Sequence, residues 1–394
     1  MEKLTVKDVN LQDKKVLIRC DFNVPQDASL NITDDTRIRA SLPTIQYVLT
    51  QKPKKVILMS HLGRPDGKPV EKYSLKPVAA RLKELLKVDV KMLGDCVGEA
   101  VKKEIDTAKE TVVLLENLRF HAEEEKNDAG FAKQLADLAD MFVNDAFGTA
   151  HRAHASTEGV THYLTSAAGF LLEKEMNYLG NALQKPQKPF VAILGGAKVS
   201  DKIGVIDNLL LKADSIIIGG GMAYTFLKAQ GKNIGNSKLE KDKLGIAKGI
   251  LENAKTKNVP IALPVDNVIT DKIEAGSNVK TVGEDIPDGW IAADIGPETI
   301  ENYCAILKNA KTIVWNGPLG IFEMDAFSNG TEKVARFIAG LKAVSIIGGG
   351  DTAAAIAKFG LEDKMTHIST GGGASLEFLE GKLLPGIAAL TDKK

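Results

Sequence analysis

The sequence predicts an α/β protein with two doubly wound parallel sheets, one in each half of the chain. Short apolar runs bounded by turn residues recur throughout, which is typical of strands buried on both faces of a sheet. Stretches with helical periodicity separate these runs, for example at 77–86 and 130–139. The length of 394 residues allows two domains of about 150 to 200 residues each. Repeated strand–helix units of this kind favour a parallel sheet in each half.

The predicted strands of the first half are residues 15–18, 56–59, 112–115 and 141–143, and those of the second half are 190–194, 215–218, 261–263, 312–315 and 344–347. The polar, proline-rich stretch 184–189 is predicted to be a connector, and about residues 171–184 before it an interdomain helix. We therefore expect an N-terminal domain at 1–170 and a C-terminal domain at 171–379, facing each other across a cleft.

Composition excludes several classes of protein. The chain has 51 basic and 51 acidic residues, whereas a nucleic-acid binder would carry a basic excess. It has no apolar run of about 18 residues that could cross a membrane, and its N-terminus lacks the apolar stretch of a signal peptide. Its three cysteines are far apart with no CxxC pair, which argues against a disulfide framework and against a zinc site built from thiolates. We expect a cytoplasmic enzyme.

Arginine and glycine divide between the two halves. Seven of eight arginines lie before residue 170, whereas 28 of 36 glycines lie after residue 170. Arginine offers a planar fork suited to carboxylate and phosphate oxygens, and glycine lets backbone N–H groups approach a phosphate closely. Drift in surface Lys and Arg usage would also give such counts. The asymmetry therefore only suggests that the two halves bind different ligands.

In the first half, four predicted strands are each followed by a loop that carries arginine or histidine. These loops are residues 19–25, 60–65, 116–121 and 144–154. Ligands of open α/β sheets bind beyond the carboxyl ends of the strands. A single loop arginine is usually a solvated charge, but four such loops at one edge predict a basic pocket for a small, multiply anionic ligand.

In the second half, the segments that follow the predicted strands are rich in glycine instead of arginine and histidine. The glycine-rich turns are residues 195–202, 219–222, 316–320, 348–352 and 371–375. A strand, a glycine turn and a helix start together form a phosphate site at a helix N-terminus. Neither GxxxxGK[ST] nor a GxGxxG after a strand is present, and a nicotinamide-dependent dehydrogenase would need the latter.

Three charged residues follow these turns. Asp351 is either a helix cap or a ligand of Mg²⁺, which proteins hold with one or two carboxylates plus phosphate oxygens. Lys198 and Lys202 are four residues apart and share a face if that segment is helical. They are either exposed helix residues or phosphate contacts, and their place after a Gly-Gly turn favours phosphate contact.

These segments together closely resemble the phosphoglycerate kinase family, from the first strand to the C-terminus. The matching blocks are DFNVP (21–25), DTRIR (35–39), SHLGRP (60–65), ENLRF (116–120), NDAFGTAHR (144–152), GGAKVSDK (195–202), NGP (316–318), GGDT (349–352) and STGGG (369–373). The resemblance implies reversible transfer of the γ-phosphoryl group of MgATP to the carboxylate of 3-phosphoglycerate, giving 1,3-bisphosphoglycerate and ADP in glycolysis and gluconeogenesis.

The resemblance also implies roles for individual residues. Those for 3-phosphoglycerate are Asp21, Asn23, Arg37, His61, Arg64, Arg119 and Arg152. Those for the nucleotide are Gly195, Lys198, Lys202, Gly219, Gly220, Asn316, Pro318, Glu323, Gly349, Gly350, Asp351 and Thr352, with Asp351 on Mg²⁺. The family further implies that about residues 380–394 pack back on the N-terminal domain, and that the chain is a hinge-bending monomer.

The implied chemistry needs no general base, because the attacking substrate carboxylate is already ionised. The enzyme must align two anions and neutralise charge on the transferring group, which we assign to Arg37, Lys198, Mg²⁺ and the amides of Gly371 and Gly372. One departure concerns the adenine side, where Ala292 stands in place of a glycine usual in the family. A non-catalytic two-domain anion-binding protein is the alternative function.

Overall fold

The computed structural model describes residues 2–393, and the chain divides into two compact units. Unit 1 runs to Asn177 and also includes the segment from Leu383, and unit 2 is Tyr178–Lys382. The division lies inside the helix Phe170–Gln184, whereas the sequence placed it at the start of that helix.

Unit 1 is built on one six-stranded parallel sheet. Its strands are β1 (Lys15–Arg19), β2 (Lys55–Met59), β3 (Val90–Met92), β4 (Val112–Leu114), β5 (Met141–Asn144) and β6 (Ser166–Ala168). Its helices are α1 (Thr36–Thr50), α2 (Lys76–Leu86), α3 (Glu99–Thr107), α4 (Ala122–Glu125), α5 (Ala129–Ala136) and the first part of α6 (Phe170–Gln184). The strands lie in the order β3-β4-β2-β1-β5-β6.

Alternate residues of the central strand β1 enter two different cores. Val16 and Ile18 pack into the cluster on one face of the sheet, and Leu17 packs into the cluster on the other face. All three side chains are fully buried. Successive side chains of a strand point to opposite faces, so a sheet covered by helices on both sides needs the continuous apolar runs seen in the sequence.

Unit 2 contains a second six-stranded parallel sheet and a small antiparallel one. Its strands are β7 (Phe190–Leu194), β8 (Ser215–Ile218), β9 (Ile261–Ala262), β10 (Asn267–Thr270), β11 (Val279–Val282), β12 (Ile291–Ile295), β13 (Thr312–Asn316), β14 (Val344–Gly348) and β15 (His367–Ile368). Its helices are α7 (Ile203–Leu209), α8 (Ala223–Ala229), α9 (Leu244–Thr256), α10 (Pro297–Leu307), α11 (Asn329–Ala339), α12 (Gly350–Lys358) and α13 (Gly372–Leu379). The parallel sheet has the order β15-β14-β13-β7-β8-β9, and the other β11-β10-β12.

The predicted fold class is confirmed, and all nine predicted strands form with ends within one residue of the prediction. The antiparallel sheet was not predicted. Its edge strand β11 has the sequence VKTV and is largely exposed, so no apolar run marked it. No helix among residues 2–393 is long and apolar enough to cross a membrane.

The C-terminal segment, with the short helix α14 (Pro385–Ala388), packs within unit 1. The Lys3 ammonium donates to the carbonyl oxygens of Ala388 at 2.7 Å and Leu390 at 2.8 Å. The Gly386 amide donates to Ala150 O at 2.9 Å. The end of the chain is thus held to its first residues and to the loop after β5.

Asp145, directly after β5, makes the stability of the protein pH-dependent. Its carboxylate is fully buried and accepts hydrogen bonds from the amides of Leu171, at 2.9 Å, and Leu172, at 3.4 Å, in the first turn of α6. Burial raises the pKa of Asp145 from 3.8 to about 7, although hydrogen bonds oppose the shift. Between these pKa values the folded protein binds a proton that the unfolded chain has lost, so stability falls as pH rises from about 4 to about 7.

We therefore expect Asp145→Asn, which cannot ionise, to gain thermal stability relative to the parent chain as pH rises from 5 to 8. The difference in unfolding free energy should change by up to about 4 kcal/mol across the full titration. Calorimetric melts over this pH range measure it, with Asp363→Asn, at an exposed carboxylate, as the control. A difference between parent and Asp145→Asn that is constant with pH would contradict this account.

Candidate active site

The basic loops of unit 1 lie side by side. They follow β1, β2, β4 and β5, which are four consecutive strands of the sheet order β4-β2-β1-β5. Because all of these strands are parallel, their carboxyl ends meet at one edge. The sequence placed the loops on one edge, and the strand order makes them neighbours there.

Several of the predicted substrate residues hold one another in place at this edge. Arg37, on α1, donates to Asp21 Oδ2 at 2.8 Å. Asn23 Oδ1 accepts from the Gly63 amide at 2.8 Å, and Arg119 Nη1 donates to Gly63 O at 3.0 Å. The loops after β1, β2 and β4 are thereby joined through Gly63. The Arg37 side chain is 40% exposed, so it can reach a ligand while paired with Asp21.

Arg64 and Arg152 are exposed and stand apart from these contacts. Arg152 Nε lies 3.2 Å from Nε2 of its neighbour His151. Burial lowers the pKa values of Arg119 and His154, and the positive charge of Arg152 adds to both shifts. No described residue forms a hydrogen bond with the Arg64 side chain.

His61 has a defined tautomer. Its Nδ1 lies 3.2 Å from Nη2 of the fully buried Arg19, and a guanidinium can only donate, so Nδ1 accepts and the ring proton is on Nε2. Burial, and then the charges of Arg19, Arg119 and Arg37, hold the pKa of His61 well below its usual range. His61 is therefore neutral at neutral pH and offers one N–H donor.

A buried network below this edge was missed as part of the site. Arg19 Nε donates to Ser156 Oγ at 2.8 Å, and Ser156 Oγ donates to Glu124 Oε1 at 2.6 Å. Glu124 is fully buried, and burial raises its pKa while the charge of Arg19 lowers it. His154 Nδ1 lies 3.9 Å from the same Glu124 oxygen, and burial lowers the pKa of His154 to about 3. A buried arginine requires such partners, so Arg19 at the end of an apolar strand was a signal for them.

In unit 2, the glycine turns meet where the order of the strands reverses. The chain runs outward from β7 to β9, returns to β13 beside β7 and runs outward again to β15. At this point the Gly195 amide donates to Asn316 O at 3.0 Å, and the Gly196 amide donates to Pro318 O at 3.1 Å. A Cβ on Gly195 would lie 2.1 Å from Pro318 O, so only glycine fits. Ligands of doubly wound sheets bind at such a switch point.

The turn after β8 packs against the same backbone. The Gly220 amide donates to Leu319 O at 3.0 Å, and Gly220 has a φ of +66°. A Cβ on Gly219 would lie 2.5 Å from Leu319 Cδ2, and one on Gly220 2.7 Å from Gly196 N. Three glycine turns therefore form one closely packed backbone surface, without side chains that would keep a phosphate away.

Lys202 and Asp351 lie close to this surface. The Lys202 ammonium donates to Asn316 Oδ1, and burial lowers the pKa of Lys202 to about 8, opposed by the charges of Asp201 and Asp351. Lys198 is exposed, and no described residue forms a hydrogen bond or ion pair with its ammonium. The segment between Gly196 and Ile203 is not helical, so the expected common face of the two lysines is not produced by a helix.

The remaining predicted residues of unit 2 differ in whether they contact the glycine turns. Thr352 Oγ1 accepts from the Gly317 amide at 2.7 Å and so connects the start of α12 to the turn after β13. Gly349 has a φ of +86° and leads into Gly350 and α12. The Gly371 amide donates to Ser369 Oγ at 3.2 Å, with Gly372 next in the chain beginning α13. Glu323 is exposed, and no described hydrogen bond links it to the other predicted nucleotide residues.

Asp351 is suited to a magnesium site in which the other ligands are nucleotide phosphates and water. Its carboxylate is exposed in the first turn of α12, and its charge acts on Lys202. It belongs to no cluster of three or more metal-ligating side chains among residues 2–393. Mg²⁺ keeps several waters and takes its other ligands from phosphates, so one carboxylate beside a phosphate-binding surface suits it.

Comparison with known proteins gives one family. The profile of the phosphoglycerate kinase family matches residues 6–382. The phosphoglycerate kinase of Moorella thermoacetica is 58% identical over the whole of both chains, and that of Pseudothermotoga lettingae is 57% identical, again over the whole of both. The phosphoglycerate kinase structure from Coxiella burnetii superposes with a TM-score of 0.91 at 45% identity, covering 98% of each chain. That from Pyrococcus horikoshii has a TM-score of 0.84 at 35% identity, also over 98% of each.

Proposed function

Because the chain belongs to the phosphoglycerate kinase family, and is therefore a phosphotransferase with a carboxyl group as acceptor, we propose that its two units divide the reaction between them. Unit 1 binds 3-phosphoglycerate at its basic strand ends, and unit 2 binds ATP at its glycine turns. The observation that carries this division is the contrast between four adjacent loops with arginine or histidine and a glycine surface at a topological switch point.

The acceptor is held by the residues that share the edge of unit 1. Arg119, Arg64 and Arg152 supply positive charge for the phosphate and the carboxylate of 3-phosphoglycerate. His61 donates one hydrogen bond through Nε2 without adding charge. Asp21 orients the Arg37 guanidinium, and Asn23 fixes the Gly63 turn. The buried network of Arg19, Ser156 and Glu124 supports this surface from below.

The donor is held by backbone and lysine groups of unit 2. The turns at Gly195, Gly219 and Gly220 let phosphates approach closely, while their own amides donate to the carbonyl oxygens of Asn316, Leu194 and Leu319. The amides of the turn 349–352, at the start of α12, face phosphate oxygens, and Asn316, Pro318 and Glu323 complete the nucleotide site. The Lys202 ammonium exchanges Asn316 for a phosphate oxygen, whose negative charge offsets the cost that burial imposes on the ammonium. Asp351 holds Mg²⁺, which neutralises phosphate charge when bound.

The chemical step requires alignment and charge neutralisation only. The substrate carboxylate attacks the γ-phosphorus of ATP, the bond to the β–γ bridging oxygen breaks, and ADP leaves. Arg37 and Lys198 supply positive charge to the transferring group, together with the amides of Gly371 and Gly372. Since the Gly371 amide donates to Ser369 Oγ in this structure, it has to exchange that partner during the step.

Transfer also requires the two ligands to reach bonding distance, so we propose that the protein closes when both are bound. Small-angle scattering should show a smaller radius of gyration with 3-phosphoglycerate and a non-hydrolysable ATP analogue together than with either alone. An unchanged radius would count against closure. We further propose that the protein is a cytoplasmic monomer whose partners are these small molecules, without nucleic acid or membrane.

The reaction itself is tested by mixing the protein with MgATP and 3-phosphoglycerate and trapping the acyl phosphate with hydroxylamine. We expect hydroxamate in the complete mixture, and none when 3-phosphoglycerate is omitted or ADP replaces ATP. Binding of both ligands without hydroxamate would favour the non-catalytic alternative, which no relative supports. Repeating the assay with GTP tests base selectivity beside Ala292, which lies on β12.

A further inference from the structure

A second group of chemically reactive side chains lies in unit 1, at the carboxyl ends of β3 and β4. Asp95 and Cys96 follow β3, and His121 follows β4. These strands are neighbours in the sheet, and the Glu116 amide donates to Asp95 O at 3.3 Å between the two loops. One ligand atom from each of the three side chains lies within 4.8 Å of the other two. None of the three has a role in the proposed phosphoryl transfer.

We propose that Asp95, Cys96 and His121 form a binding site for a zinc-class divalent cation. The set joins one thiolate, one imidazole and one carboxylate. Thiolate and imidazole favour zinc and its analogues over Mg²⁺ and Ca²⁺, which take oxygen ligands. With the thiol deprotonated, the two negative ligands balance the charge of the cation. Three protein ligands leave a fourth tetrahedral position for water.

The geometry requires a rearrangement of about 1 to 1.5 Å among the three ligand atoms. Ligand atoms of a tetrahedral zinc site are roughly 3.3–3.8 Å apart, given bond lengths of about 2.0–2.3 Å. The cluster, with a limit of 4.8 Å, must therefore tighten by up to about 1.5 Å, while the His121–Asp95 contact of 2.6 Å lengthens to admit the cation. His121 and Asp95 can supply this movement, because their side chains are 29% and 52% exposed. Cys96 is fully buried, so its sulfur stays in place while the other two ligands move.

The existing contacts already orient two of the ligands. His121 Nε2 lies 2.6 Å from Asp95 Oδ1, and the His121 ring packs against Phe131 with 5.3 Å between centroids. The Cys96 amide donates to Asp95 Oδ1 at 2.7 Å. A cation would replace the His121–Asp95 contact by two bonds to itself. Burial raises the pKa of the Cys96 thiol, so the cation must also displace the thiol proton.

The test uses Co²⁺ as a spectroscopic probe for zinc on the full reduced chain. A cobalt–thiolate bond gives a ligand-to-metal charge-transfer band, whereas Co²⁺ at a carboxylate such as Asp351 gives none. We expect one equivalent of Co²⁺ to produce this band and Zn²⁺ to abolish it. Absence of the band in the parent chain would overturn the proposal.

Variants identify the ligands. Cys96→Ser should lose the band, while Cys304→Ser, at the half-buried cysteine of unit 2, should keep it. His121→Gln, at a partly exposed position, should weaken Co²⁺ binding at least about tenfold. A band that survives Cys96→Ser, or an affinity unchanged in His121→Gln, would show that Co²⁺ binds elsewhere and that the His121–Asp95 contact is an ion pair only.

Discussion

Replacing Arg37 with alanine is expected to lower kcat/KM for 3-phosphoglycerate by at least about a hundredfold. The attacking carboxylate and the γ-phosphoryl group are both anionic, and Arg37 is the arginine of unit 1 to which we assign their neutralisation. Its guanidinium is fixed by Asp21 at 2.8 Å and is still 40% exposed, so it is oriented in advance for a ligand. Steady-state kinetics with each substrate varied in turn measure the loss.

Two further variants separate charge from geometry. Arg37→Lys keeps the charge but loses the planar fork, so its activity should fall between those of the parent and the alanine variant. Arg39→Ala is the matched control, because Arg39 lies on the same helix, is exposed and pairs with Asp35. It should stay within about twofold of the parent, since exposed ion pairs contribute little. Near-normal rates for Arg37→Ala would mean that the acceptor site is wrongly assigned.

Replacing Lys198 with alanine is expected to lower kcat by about 10²–10³-fold while KM for ATP changes little. Its ammonium is exposed, and no described residue holds it by a hydrogen bond or ion pair. It can therefore follow the phosphoryl group and interact most strongly when negative charge develops in transfer. A group that acts mainly in the transition state affects kcat more than KM.

The control for this variant is Lys228→Ala, an exposed lysine at the end of α8 that we expect to be kinetically silent. Lys202→Ala provides a contrast within the site. Lys202 is half-buried and paired with Asn316, so its loss should raise KM for ATP as well. If Lys198→Ala turned over at the parent rate, Lys198 would have no part in the chemical step.

Much of the site followed from the sequence because its signals are local. The residues that act in each loop directly follow a strand, as Ser60-His61-Leu62-Gly63-Arg64 follows β2 and Gly195-Gly196 follows β7. The predicted strand ends agree with the structure to within one residue, which fixes the loops just as closely. Family membership is shown by a match that spans residues 6–382 and so includes these segments.

Other features depend on residues that are distant in the chain. Arg19 donates to Ser156, which donates to Glu124, and both of these residues are more than a hundred positions from Arg19, so no periodicity connects them. The candidate cation site joins Asp95 and Cys96 with His121 across two strands. The wide spacing of the cysteines disfavours only sites built from several thiolates, whereas this site takes one thiolate, one imidazole and one carboxylate.

The sequence by itself thus determined the two parallel α/β sheets, the basic loops of one half and the glycine turns of the other. These features can be recognised because the burial pattern of a strand and the residues of a turn depend on neighbouring positions in the chain. Only the tertiary structure decided that the four basic loops follow consecutive strands, that His61 is neutral with its proton on Nε2, and that Gly195 touches Pro318. These properties arise from strand order, desolvation and contact between distant segments. Each of these properties depends on the position that the folded chain gives to a loop or a side chain.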